Sequence, residues 1–150
     1  IRRPGNFRVP VGMMLKDLVE WCGGLTEDAA KVLLGGPMMG PTTPHLDVPI
    51  LKGTSGITVL TEAEISRKKE AACIRCCRCV DHCPLKLVPT QIAHAVKAGD
   101  LEMAQRYDLM ACVECGCCSY VCPSHIPLVQ YLRSGKARVR MAGGGAARKG

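Results

Sequence analysis

The sequence predicts an α+β chain in two parts: a small mixed module over residues 1–61, and a helical region over 73–140 folded around two cysteine runs. Three observations predict it. Hydrophobic periodicity in the first part changes from helical spacing (Met14, Leu15, Leu18, Val19, Cys22) to two short strand-like runs, Lys31–Leu34 and Ile57–Thr61. The pattern C-x2-C-x2-C-x3-C-P occurs twice, at Cys73–Pro84 and at Cys112–Pro123, 39 positions apart. The segments that follow the two runs read as helices opened by proline, not as strands.

In chain order, Pro4-Gly5 is a turn signal and Asn6–Pro10 a short extended piece. The helix from Met13 to Cys22 stops at Gly23-Gly24, the pair that suits a C-terminal cap. The strand at Lys31–Leu34 ends at Gly35-Gly36-Pro37. Residues 35–56 hold five Gly and four Pro and are expected to be mostly turns. Ile57–Thr61 alternates as a second strand. Residues 62–72 are polar and charged, read as a short helix or a linker, and the domain boundary is placed there. After the first cysteine run, Pro89 opens a helix whose inner face is Ile92, Ala95 and Val96 and whose end is Gly99. Asp100 caps a second short helix over Leu101–Tyr107. After the second run, Ile126-Pro127 opens a third helix with Leu128, Val129 and Leu132 apolar. Residues 141–150, with Gly143-Gly144-Gly145, are expected to be a flexible tail.

Composition narrows the function. The formal charge is +7, and only 3% of residues are Phe, Trp or Tyr. No basic run is interleaved with stacking aromatics, so nucleic-acid binding is set aside. No apolar stretch reaches the length of a bilayer span, and no signal peptide is present. The chain opens on Ile1-Arg2-Arg3 without Met, so it is expected to be a piece of a longer protein.

The two cysteine runs carry the chemistry. Their spacing is the one that holds [4Fe–4S] clusters in bacterial ferredoxins, where the fourth cysteine of each run serves the other cluster. One cluster is therefore assigned to Cys73, Cys76, Cys79 and Cys122. The other is assigned to Cys83, Cys112, Cys115 and Cys118. The helical insert between the runs makes this a helical two-cluster ferredoxin domain. Zinc is the competing reading, because C-x2-C pairs bind it, but a zinc site takes four ligands in two pairs. Disulfides give no reason for two identical spacings and need an oxidising compartment. Eight thiolates and two oxidised cores would reduce the formal charge from +7 to roughly +3.

Three cysteines are left over. Cys22 is expected in the core of the first helix, and Cys77 and Cys117 as small buried thiols inside the loops. Arg75 and Glu114 occupy equivalent places in the two runs, and Arg78 adds a second positive charge to the first. The expectation is a higher potential for the cluster of Cys73, Cys76 and Cys79. His82 and His125 adjoin the fourth cysteines and are read as neighbours rather than ligands. Gly35–Gly40 lacks the G-x-G-x-x-G pattern and is read as a turn with two packing Met. No NAD or flavin site can be built from the residues present. Arg133, Lys136, Arg138 and Arg140 read as favourable charge at a helix C-terminus, with a membrane-surface or partner contact as the alternative.

A family resemblance rests on ordered strings in both parts. Pro4-Gly5-Asn6-Phe7, Asp17–Glu20, Cys22–Leu25, Gly35–Gly40 and Lys52–Gly56 resemble a soluble-ligand-binding β-grasp (SLBB) module. Followed by two cluster motifs ending Cys122-Pro123-Ser124-His125-Ile126-Pro127-Leu128, they resemble the C-subunit family of Rnf (Rsx-type) ion-translocating electron-transport complexes. Cys77 departs from the family pattern, where Gly is expected. The resemblance implies a partial β-grasp, expected to lack its first strand in this chain. It also implies an electron relay between ferredoxin and NAD coupled to ion translocation. The membrane subunits of that complex are the implied partners, on the cytoplasmic face of a prokaryotic membrane. FMN and NADH are implied only on an N-terminal domain that this chain lacks. A soluble flavin/iron–sulfur cobalamin reductase of the same domain order, and a zinc-stabilised interaction module, are the alternatives.

Overall fold

The computed structural model describes the backbone of residues 1–146, with side-chain surroundings through residue 142. The chain divides into two compact units, Ile1–Arg67 and Lys68–Gly150.

In the first unit, helix α1 (Leu15–Trp21) buries Leu15, Leu18 and Val19. These and Cys22 recur at helical spacing, so one stripe of the helix faces the core. Gly23 and Gly24, both with positive φ, turn the chain out of the helix; Gly24 N–H donates to the Val19 carbonyl at 2.9 Å. The sheet is antiparallel, with β1 (Ala29–Leu34) between β2 (Thr42–Thr43) and β3 (Ile57–Thr61). Val32 lies opposite Val59 on one side and Thr43 on the other. Leu15, Val19 and Val32 form a core with Leu34, Ile57 and Val59 packed around it. Leu18, Cys22 and Ile50 form a second cluster, to which Val9 adds. Cys22 is thus a core residue, as its helical position predicts.

The turn-rich stretch 35–56 also supplies the sheet with β2. Gly40 N–H donates to the Gly36 carbonyl at 2.8 Å. A Cβ at Gly40 would lie 2.7 Å from that same oxygen, so the loop closes only with glycine there. The two methionines expected to pack in this loop do not: Met38 and Met39 are 42% and 51% exposed.

The second unit is helical. Its longer helices are α3 (Pro89–Ala98), α4 (Leu101–Arg106) and α6 (Leu128–Ala146). Ile92, Ala93, Val96, Ala104, Leu109, Leu128 and Leu132 form its core. Gly135 on α6 allows close packing: a Cβ there would lie 2.5 Å from Val96 Cγ2 and 3.1 Å from Leu109 Cδ2. Gly99 ends α3 with φ 82°, and Asp100 N–H reaches back to the Ala95 carbonyl at 2.9 Å. Asp100 Oδ1 then accepts from Met103 N–H at 2.8 Å, which caps α4.

The division between the units falls after Arg67, inside the segment 62–72. Residues 70–72 are not a free linker. Glu70 bonds to Lys97 Nζ and to Tyr131 Oη, each at 2.7 Å, and Ser124 Oγ donates to the Ala72 carbonyl at 2.9 Å. The expected tail is helical from residue 141 to Ala146, because each added residue continues the ladder at the cost of one residue's ordering. Residues 147–150 of that expectation lie outside the described residues.

Candidate metal centre

The two cysteine runs adopt the same backbone path. Arg75 and Cys77 have φ of 56° and 61°; Glu114 and Gly116, each 39 residues later, have 58° and 83°. The left-handed residue at each first position lets the chain fold back over its first cysteine. Arg75 N–H points at Cys73 Sγ at 3.4 Å, and Glu114 N–H at Cys112 Sγ at 3.3 Å. One-turn helices follow, α2 (Arg78–Asp81) and α5 (Cys117–Tyr120), which carry Cys79 and Cys118 inward. The register persists past the fourth cysteines. Lys86 and His125 are again left-handed and again 39 residues apart, and their N–H groups donate to the Cys83 and Cys122 carbonyls at 3.1 Å.

Two separate cavities open against these loops. Cys73, Cys76, Cys77, Cys79 and Cys122 line one of about 830 Å³. Cys83, Cys112, Cys115 and Cys118 line a much narrower one of about 20 Å³. Each cavity thus brings the first three motif cysteines of one run together with the fourth of the other, and Cys77 also lines the first. Among the described residues, no three His, Cys, Asp or Glu side chains lie close enough to hold a single metal ion. A cubane makes a different demand, one thiolate at each of four iron corners around a central volume. The four motif sulfurs at each cavity and the backbone N–H groups aimed at sulfur fit the donor chemistry of such a group.

Burial sets the protonation of these thiols. It pushes Cys79 and Cys112 above the ordinary thiol range, and drives Cys118 to about 11, with Cys112 close by adding to the rise. Thr90 at the start of α3 bonds to Cys79 and opposes its rise. A thiolate-binding metal must therefore displace protons from these groups.

His82, His125 and Cys117 fall outside the residues lining the two cavities. His82 Nδ1 lies 3.0 Å from the Arg78 carbonyl, and His125 is exposed; neither lines a cavity. Cys117 is hydrogen-bonded to Cys115, a contact that raises its thiol pKa. The expected burial of Cys77 does not occur. It is exposed at the rim of the first cavity, with left-handed backbone and Sγ 3.7 Å from the Arg75 carbonyl.

The basic cluster on α6 is also reassigned. Lys136 does not sit at a helix end, since α6 runs ten residues further. It is 6% exposed, and its Nζ donates to the Cys112 carbonyl at 2.7 Å and to Glu114 Oε1 at 2.9 Å. Arg133 Nε donates to Glu114 Oε2 at 3.1 Å. These two cations hold the Glu114 carboxyl below the usual carboxylate range, Lys136 most of all. Arg138 caps α3 instead, with Nη1 donating to the Val96 carbonyl at 3.1 Å. Residue spacing placed Lys136 and Glu114 in the right neighbourhoods, but no local signal pairs residues 22 positions apart.

Both parts of the chain are similar to known proteins. Residues 1–42 match the SLBB domain and residues 72–127 the 4Fe-4S dicluster domain. The chain is 48% identical over 139 residues to the C subunit of the ion-translocating oxidoreductase complex of Rhodobacter capsulatus, covering 93% of this chain. The chain is homologous to the C subunits of Rnf-type ion-translocating oxidoreductase complexes. It is 43% identical, over 95% of its length, to the C subunit of the proton-translocating ferredoxin:NAD(+) oxidoreductase complex of Clostridium ljungdahlii. To the C subunit of the ion-translocating oxidoreductase complex of Methanosarcina acetivorans it is 38% identical over 93% of its length. The chain spans 27%, 32% and 31% of the length of these three relatives. Among the described residues, no helix is long and apolar enough to cross a membrane.

Proposed function

We propose that this chain holds two [4Fe–4S] clusters and relays electrons one at a time within an Rnf-type complex that couples ferredoxin/NAD electron transfer to ion translocation. One cluster is held by Cys73, Cys76, Cys79 and Cys122, the other by Cys83, Cys112, Cys115 and Cys118. The observation that carries this assignment is the sharing of cysteines between cavities: Cys122 faces the first loop and Cys83 the second. Each cluster supplies one-electron redox chemistry when bound. This chain's own contribution is to hold eight sulfurs, to aim N–H groups at Cys73 and Cys112, and to set the charge around each site. Residues 1–61 and 73–140 act as separate domains. In this reading FMN and NADH bind elsewhere in the complex, and the chain docks on membrane subunits at the cytoplasmic face. Anaerobic reconstitution with iron and sulfide counting tests the proposal. Eight irons per chain and a brown, bleachable absorption are expected. A colourless protein that binds zinc overturns it.

A further inference from the structure

We propose that buried Lys136 raises the potential of the cluster site at Cys83, Cys112, Cys115 and Cys118, making it the higher of the two. This deepens the electron-relay reading and rests on it. It also reverses the order expected from Arg75 and Arg78.

The placement begins with packing. Gly135 lets α6 approach Val96 and Leu109 closely, and the next residue, Lys136, is thereby pressed onto the second loop. Its ammonium bonds to the carbonyl of Cys112, the first cysteine of that loop, and to Glu114. Glu114 divides its one negative charge between Lys136 and Arg133, so it does not by itself cancel the buried Lys136 charge beside this loop. A cluster gains negative charge on reduction, so a nearby cation favours the reduced form.

The first loop has more cations but holds them differently. Arg75 and Arg78 are exposed, where water and salt weaken their field within about 8–10 Å. Lys97 stands 39 residues before Lys136 and lines the first cavity. Its side chain is 45% exposed and its charge is matched by Glu70 at 2.7 Å. The Lys136 side chain is 7% exposed, so its field passes through protein rather than water and acts at lower effective dielectric. Burial, rather than the count of basic residues, decides which site is more electropositive.

The test is an anaerobic redox titration of the cluster-loaded full chain, followed by electron paramagnetic resonance. Lys136→Met should lower the upper midpoint by about 59 mV, a tenfold change in the ratio of oxidised to reduced cluster, and leave the lower midpoint in place. Glu114→Gln should move the same midpoint upward. Opposite shifts from two neighbouring substitutions are not produced by general damage to the loop, and the second variant keeps the test available if the first folds poorly. A shift of the lower midpoint with Lys136→Met, no shift in either variant, or shifts of the same sign would overturn the inference while the relay reading stands. A wild-type chain that takes up no iron would overturn both.

Discussion

The two cysteine loops share a backbone and differ in what surrounds them. Left-handed residues recur at the same three offsets, and in each loop an N–H points at the first sulfur. Yet the first loop opens onto a wide cavity and carries its charges in solvent, whereas the second is narrow and clamped by a helix through Lys136 and Arg133. Local sequence thus repeats the ligand geometry, while the packing of α6 makes the two sites unequal.

The most severe way to break the comparison is to remove a shared cysteine. Cys122→Ser should empty the first site although it lies in the second run, and Cys83→Ser should empty the second. Each variant should hold about four irons per chain, counted after anaerobic loading, with the other cluster's resonance signal kept. Loss of the signal belonging to the cysteine's own run would show that the runs do not exchange ligands.

Acidity separates the loops next. Burial raises Cys112 and Cys118 in the second loop but only Cys79 in the first. Metal must displace a proton from each raised thiol, so uptake weakens as pH falls, by up to about tenfold per pH unit per proton displaced. The second site should therefore be the harder to load at pH 6.5 and should recover at pH 8.5, measured as iron bound per site. The metal-free fold shows the opposite sign. Buried neutral thiols stabilise it below the ordinary thiol pKa of 9.0, and that stability is lost as pH rises toward about 11, the value for Cys118.

Gly135→Ala addresses the packing that makes the loops unequal. Its Cβ would lie 2.5 Å from Val96 Cγ2, so α6 must shift, at a cost of about 1–3 kcal/mol. A lowered melting temperature is expected. The upper cluster midpoint should fall with it, because Lys136 moves away from Cys112. The mildest change is Cys77→Gly, which makes the first loop resemble the second at Gly116. It removes a left-handed non-glycine residue and should stabilise the loop by about 1 kcal/mol, read as slower cluster loss in chelator. An unchanged rate would mean that the Sγ contact to the Arg75 carbonyl offsets the strain.

Much of this was legible in the residues. The cysteine spacing, Gly99 and Asp100 at the helix junction, and the apolar stripes of α1 and α3 act over a few positions, so the chain declares them locally. The sequence by itself determined the repeated tight path of the two runs, since a C-x2-C-x2-C stretch recurs 39 residues apart and takes the same left-handed turns each time. It also determined that the fold has two parts and that helices, rather than strands, follow each run. Only the tertiary structure decided that Lys136 is buried against Cys112 and that Cys77 is exposed. It alone tied residues 70–72 to the helical unit and left the methionines of the glycine-rich loop half in solvent. Those outcomes depend on contacts between residues far apart in the chain, where burial changes the strength of a charge and no spacing rule applies.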